Sequence, residues 1–433
     1  MPASSGEHGA ADWAIDLVRT FWLPLVIFGS TLVIFLLSRP DPIRWYEHEV
    51  YLAKAILNGT LDVGSVGIPD FWQDTVKIGD AKYLPYGPGS AILLLPFVAI
   101  WGTDFSSIHF AMVLGAINVA LLWYALKLLD VTSTTKILMV PFFAFGTVHF
   151  YAATTGTLWF LNHVTAVFFV LIAIILLLRG APPYLPAIAI GFAYLSRGPT
   201  LLAAPFFLYY ILRYGHDDFR LFAVESWLAA LKDWGRTRRL LMFAAGLVPF
   251  GIFTLWYNWA RFDDPFQSGY QAVYEAYANI QYSYYRAQDP SAPRFNLFDI
   301  RNIPLHLHVL FMMPPDFHAD WSIFRPSPYG LSILFTSPAY VFALFAKGRH
   351  MLKPACWLAI GLICIPLFLH YSQGWVQFGY RFMLDFTPFL LILTAFGFDD
   401  NRTAGSRRLQ LALVVASIAA GFWGRYWGNE LGW

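Results

Sequence analysis

The stretch WYEHEVYLAKAI, residues 45–56, sets Glu47, His48 and Glu49 directly after a run of apolar sequence. A carboxylate facing a half-dry cavity can take a proton from an acceptor hydroxyl, so Glu47 and Glu49 are candidate general bases, with the His48 imidazole as an alternative. The plain reading of the same residues is helix capping, since a carboxylate at a helix N-terminus meets free backbone N–H groups and the positive end of the dipole. Glu-x-Glu could also hold a divalent metal, but alternate residues on a helix diverge, and this reading ranks lower.

Cations sit singly in apolar surroundings further along. Arg197 in YLSRGPT, residues 194–200, divides two apolar half-spans. Such a charge is a functional candidate by default, and its planar fork suits phosphate, although snorkelling to headgroups would also place it. Arg261 in WYNWARFDDPFQSGY could reach an anionic group. In GWVQFGYRFMLDFTPF, Arg381 and Asp385 are four apart and are expected to pair on one helix face, with Tyr380 beside them. An arginine so paired can still share its charge with a phosphate. Tyr83 and Tyr86 in YLPYGPG offer aromatic walls for a sugar or a lipid headgroup, although prolines here also suit a plain helix start. Asn162 and His163 open a later span and are candidate cavity residues. Asp70, Asp74 and Asp80 with Lys77 and Lys82 read as a solvated loop. His306 and His308 would diverge on a helix and lack further ligands for zinc.

The elements that must position these groups are membrane helices. The chain has 433 residues, 58% hydrophobic and 13% charged, with mean hydropathy +0.52, against roughly 25% charge in a soluble domain. Aromatics reach 18%, and Trp and Tyr favour the lipid–water interface. Net charge is +2, which gives no footprint for nucleic acid. Cys356 and Cys364 are eight apart in one apolar run, roughly 12 Å on a helix, too far for a disulfide. The N-terminal MPASSGEHGAADWAIDLVRT lacks the features of a cleaved leader, so the first span is expected to remain as an anchor.

Apolar runs long enough to cross a bilayer are expected at 19–38, 107–128, 136–156, 158–179, 240–260, 328–346, 353–371, 380–398 and 408–424. Residues 184–213 form two short helices broken at SRGP, and 88–101 is too short to span and reads as interfacial or re-entrant. EVYLAKAILNG, residues 49–59, suggests an amphipathic helix on the outer membrane surface, where charge costs little, with Glu47, His48 and Glu49 at its N-terminus and Gly59 as its stop. Lys127 and Lys136, Arg179, the group from Arg213 to Arg239, Lys347 to Lys353, and Arg402 to Arg408 fall in alternate loops. Placing those loops in the cytoplasm gives about eleven spans, an inner N-terminus and an outer C-terminus. The outer face then gathers loop 39–106, the turn 196–199, loop 261–327, the turn 372–380 and the C-terminal tail. Neither internal repeat nor second soluble domain is visible, so residues 1–433 read as one transmembrane domain.

Taken in order, YEHEVYLAKAILNG, KYLPYGPGSAILLLPF, GFAYLSRGPTLLAAPF, YNWARFDDPFQSGY and GYRFMLDFTPFLLIL resemble the GT-C superfamily of membrane glycosyltransferases. The resemblance covers residues 19 to about 398 and is nearest to bacterial relatives of protein O-mannosyltransferases and of the lipid A aminoarabinose transferase. It implies an all-α polytopic fold in the bacterial cytoplasmic membrane, with the active site facing outside. It implies a polyprenyl-phosphate-linked sugar as donor, basic residues on the donor phosphate, an acidic residue of the first outer loop at the reaction centre, and a glycan, lipid or protein acceptor. Family members carry an Asp-Glu pair after the first span where this chain has Glu-His-Glu, so Glu47 and Glu49 compete for the acidic role. Two other functions fit the composition. One is a transporter or flippase of a lipid-linked glycan, which requires charges near the bilayer midplane and inverted repeats. The other is an assembly partner for envelope enzymes, which requires no cavity between loop 39–106 and Arg197.

Overall fold

The structure is a computed structural model that describes residues 10–213, 219–276, 284–318, 323–348 and 350–433. The first nine residues of the N-terminal stretch, and Arg349 among the inner-loop cations, lie outside the described residues. The chain is about 70% helical with almost no sheet. Its helices are α1 (Ala10–Ser38), α2 (His48–Leu57), α3 (Gly89–Trp101), α4 (Ser107–Leu128), α5 (Ser133–Phe145), α6 (Val148–Thr155), α7 (Leu158–Leu178), α8 (Tyr184–Ser196) and α9 (Ala204–Arg213). There follow α10 (Val224–Lys232), α11 (Trp234–Phe262), α12 (Tyr270–Ala276), α13 (Tyr284–Gln288), α14 (Ile303–Phe311), α15 (Ile333–Thr336), α16 (Lys353–Leu369), α17 (Thr387–Asp400) and α18 (Ala404–Glu430). Two small antiparallel hairpins, Val76–Ile78 with Ala81–Tyr83 and Asp316–His318 with Ile323–Arg325, decorate the loops.

Local chemistry sets the boundaries. Ser106, Thr132, Thr147, Asp233 and Thr403 precede α4, α5, α6, α11 and α18, and each accepts a backbone N–H at the helix start. Pro199 has no N–H to give, so the ladder of α8 stops, Arg197 takes an extended backbone, and a 3₁₀ run Gly198–Ala203 leads into α9. The expected break at SRGP is therefore present. α7 is buried along most of its length, with α4 and α8 packed on it, α1 on α4, α11 on α8 and α18 on α5. Among the described residues four helices, α4, α7, α11 and α18, are long and apolar enough to cross a membrane, and the pair α5–α6, bent by 45°, makes a fifth if taken as one span. Helix lengths do not reach the expected count of about eleven; α3, α8, α16 and the latter part of α1 are shorter apolar helices.

Two expected spans are different objects. Residues 328–346 do not form one helix: Ser337 and Pro338 interrupt the ladder between α15 and a 3₁₀ run Pro338–Phe345. Residues 380–398 begin as a 3₁₀ turn, Arg381–Asp385, and Pro388 sits in the first turn of α17, where its missing N–H is tolerated. The expected surface helix is present as α2, which starts at His48, one residue ahead of the expected stretch, but it is not half-solvated. Loop and helix side chains enclose it, including Ile68, Trp72 and Leu94, and Glu47, His48 and Glu49 are 3%, 0% and 0% exposed. Cheap charge at a wet rim is thus not the explanation of that segment.

The two ends of the bundle differ. At one end Thr132, Asp399, Arg402, Arg407 and Gln410 share hydrogen bonds, and Asp400 holds His350 and the Gly348 backbone. These belong to the loops read as cytoplasmic. At the other end the loops read as outer come together around a cavity.

Candidate active site

That cavity has a volume of about 840 Å³. All five outer segments contribute to its wall: Tyr46, Asp74 and Tyr86 from loop 39–106, Arg197 from the broken span, Arg261 and Tyr270 from loop 261–327, Trp375 from the turn 372–380, and Trp433 from the tail. Asn162, His163 and Arg381 also line it, whereas Tyr83 and Tyr380 do not. Tyr83 packs edge-on against Phe262, 6.0 Å between ring centres. Tyr380 is fully buried behind the wall with its hydroxyl 2.8 Å from His306 Nδ1, which gives His306 a structural partner in place of zinc.

The expected Arg381–Asp385 pair does not form. In a 3₁₀ turn, residues three apart eclipse, so residues four apart point in different directions. Asp385 instead accepts from Arg197, Nη2 at 2.9 Å and Nε at 3.1 and 3.2 Å, and from His163 Nδ1 at 2.8 Å. A carboxylate only accepts, so the His163 proton is on Nδ1. Arg197 is thereby held by a buried, fork-to-carboxylate ion pair while it borders the cavity. Arg381 donates Nη1 to the Trp375 carbonyl at 3.1 Å, and its buried Nε has no partner. The two guanidinium carbons lie 5.4 and 5.5 Å from the centre of the same Phe382 ring, so two cations share one aromatic neighbour, and the single carboxylate Asp385, bound to Arg197, leaves the group with a net positive charge.

Arg261 is a strut. Its Nε donates to the Tyr257 carbonyl at 3.0 Å, its Nη2 to Asn258 Oδ1 at 2.8 Å, and its Nη1 to the Leu84 carbonyl, tying α11 to YLPYGPG. The glycines of that motif permit close approach: a Cβ on Gly87 would lie 2.2 Å from the Leu195 carbonyl oxygen, and one on Gly89 would lie 2.2 Å from Ser196 Oγ. The start of α3 is thus pressed onto the end of α8, beside Arg197.

Each of the three EHE residues touches a different part of the wall. Glu47 accepts from Arg44 Nε at 2.7 Å and from the backbone N–H of Ser107 at 2.7 Å. It is a helix-capping glutamate, as the plain reading holds, but the helix it caps is α4. His48 Nε2 lies 2.8 Å from the Gln73 carbonyl, and burial pushes its pKa down, so the neutral ring donates there. Glu49 Oε1 accepts from Asn162 Nδ2 at 2.9 Å, and Asn162 Oδ1 accepts from Ser90 Oγ at 2.5 Å. Burial pushes the Glu49 carboxyl up to about 7, opposed by the Asn162 bond, and its second oxygen has no partner. None of the three lines the cavity. They stand one layer behind it, holding α4, the Gln73–Asp74 backbone and Asn162. Glu47 and Glu49 do not share a focus, and among the described residues no three His, Cys, Asp or Glu side chains could hold a metal ion.

Reading the sequence missed the carboxylate that does line the cavity. Asp74 Oδ2 accepts from Tyr86 Oη at 2.7 Å and from Trp159 Nε1 at 2.6 Å. It lies in a loop, where no periodicity marks it out from Asp70, which is solvated as expected and pairs with Lys82. Its backbone is left-handed, φ 61°, which aspartate tolerates better than most residues. Tyr46 and Val376, with φ 58° and 47°, also line the cavity, and in bulky or branched residues such angles are strained. Backbone strain gathers at functional sites.

No protein-family model and no curated protein sequence matches the chain. Among solved structures it is similar to the oligosaccharyltransferase AglB from Archaeoglobus fulgidus in complex with an inhibitory peptide and a dolichol-phosphate, at 13% identity and TM-score 0.47, over 96% of this chain and 56% of that one. It is similar to ArnT from Cupriavidus metallidurans bound to undecaprenyl phosphate, at 12% identity and TM-score 0.45, over 92% of this chain and 64% of that one. The apo form of the A. fulgidus enzyme gives 12% identity and TM-score 0.45, over 93% and 56%. This chain thus spans under two thirds of the length of each.

Proposed function

We propose that this protein is a glycosyltransferase that moves a sugar from a polyprenyl-phosphate donor to an acceptor hydroxyl at the outer face of the membrane. One observation carries the reading: a single cavity at one end of an apolar helical bundle presents the carboxylate Asp74 together with the guanidiniums of Arg197 and Arg381. The donor phosphate sits against Arg381, whose buried Nε lacks a partner, and Arg197, whose ion pair with Asp385 fixes its direction. The acceptor hydroxyl sits at Asp74, oriented by Tyr86 and Trp159. The acceptor oxygen bonds to the sugar's anomeric carbon as the carbon–oxygen bond to phosphate breaks, and the hydroxyl proton passes to Asp74. The leaving phosphate keeps the electron pair and is stabilised by the arginines, so no strong general acid is required. Glu49 and His48 act from behind by holding Asn162 and the Gln73–Asp74 backbone. A cavity shared by loop 39–106 and Arg197 supports a substrate site over an assembly role.

The test is transfer from a labelled polyprenyl-phosphate sugar by the purified chain. D74N should reduce kcat by about 100-fold or more while donor binding persists, the size expected for loss of a general base. Activity within a few-fold of wild type would remove Asp74 from the chemistry.

A further inference from the structure

Two further buried cations, Arg39 at the wall and Arg425 behind it, belong to the same cavity, and neither contacts the Arg197–Asp385 pair. Arg39 lines the wall and is 8% exposed, with its Nη1 donating to the Thr154 carbonyl at 3.3 Å. Arg425, on the last turns of α18, is 1% exposed and lies 4.8 Å from the centre of the Tyr151 ring. Its Nη1 donates to Thr155 Oγ1 at 3.0 Å, while its buried Nε and Nη2 have no partner. Among the described residues neither arginine forms an ion pair. The groups close enough to act electrostatically on Arg425 are Tyr151 and Arg39, and neither brings a negative charge at neutral pH.

Two buried guanidiniums without a counter-ion form an arrangement that a folded chain keeps only at a cost, unless something anionic completes it. The position of Thr155 says where that anion would bind. Thr155 lines the cavity and its Oγ1 accepts from Arg425, which leaves its O–H as a donor, with the buried Tyr151 hydroxyl as its neighbour inside the wall and the cavity on the other side. Arg425 stands behind the wall and polarises the Thr155 hydroxyl, and Arg39 supplies a charged donor at the wall beside it.

We infer that Arg39, Thr155 and Arg425 form a second oxyanion site in the cavity, for a phosphate-type group distinct from the one held at Arg197 and Arg381. The inference deepens the glycosyltransfer reading and rests on it for the first anion only. The second phosphate belongs either to a diphosphate donor or to a phosphate-bearing acceptor.

The test is calorimetric titration of the full chain in detergent micelles. Inorganic phosphate is added to protein saturated with farnesyl phosphate. A further saturable event is expected, weakened about tenfold in R39Q and in T155V and retained in R197Q. T155V keeps side-chain volume and R39Q alters a residue already at the cavity wall, so both serve if R425Q fails to fold. Farnesyl diphosphate then separates the sources. Binding about tenfold tighter than the monophosphate, sensitive to T155V, assigns the second anion to the donor. Equal binding of the two lipids, with inorganic phosphate still binding, assigns it to the acceptor. No second event in wild type, or one unchanged in correctly folded R39Q and T155V, overturns the inference. If farnesyl phosphate itself does not bind, the donor reading fails. Inorganic phosphate binding to the lipid-free protein, with the same sensitivity to R39Q and T155V, then decides the second site alone.

Discussion

The charged residues divide by what compensates them. Asp385 neutralises Arg197 and orients His163 within one buried cluster, whereas Glu49 is buried with one amide donor from Asn162 and an oxygen left over. Burial raises the Glu49 pKa from 4.5 to about 7. The sign follows from the native carboxyl holding its proton more tightly than the unfolded one. The stabilising contribution is full below the unfolded value and is lost progressively as pH rises from about 4.5 through about 7. The loss is on the order of 3 kcal/mol. Thermal unfolding between pH 4.5 and 8 should therefore show wild type losing stability with rising pH and E49Q nearly flat in comparison. A wild-type slope unchanged in E49Q would mean that Glu49 is ionised throughout. The type and place of Glu49 were legible in the sequence. Its role was not, because Asn162 reaches it from α7 and is itself held by Ser90 of α3, both distant in the chain.

Among elements, the short and broken helices build the site, and the long straight ones carry it. α8 ends at Ser196 because of Pro199, and α3 begins at Gly89, and the two termini meet only because Gly87 and Gly89 lack side chains. G89A would bring a Cβ to 2.2 Å from Ser196 Oγ and 2.6 Å from the Ser196 nitrogen. It should cost about 1–3 kcal/mol as overpacking does, and lower transfer activity by displacing Arg197. Gly198, two residues beyond the contact, has nothing within 4 Å of a Cβ, so G198A is the matched control and should change the melting temperature little. Equal melting temperatures for the two variants would refute the close-packing role. The sequence announced the break and the glycines as local signals. That they are two halves of one contact is a tertiary fact.

At the scale of the molecule, the loops rich in lone polar residues converge at one end and the basic loops cluster at the other. If the cavity faces outside, a cysteine at exposed Ser65 should react with an impermeant maleimide on intact cells. One at exposed Lys232 should react only after permeabilisation. Labelling in the reverse order would invert the orientation, and labelling of both in intact cells would break the alternation of loops. By itself the sequence determined the helical membrane class, the helix breaks, the segregation of unusual loops, and five segments that end in one cavity. These are consequences of composition, hydropathy and residue chemistry, which act within a few turns of chain. Only the tertiary structure decided that Asp385 serves Arg197 and not Arg381, that Glu47, His48 and Glu49 stand behind the wall, and that Asp74 is the carboxylate facing the cavity. Those outcomes depend on which side chains packing brings within about 3 Å, the reach of a hydrogen bond. The partners come from segments up to 222 residues apart, as His163 and Asp385 are, a separation no local pattern records.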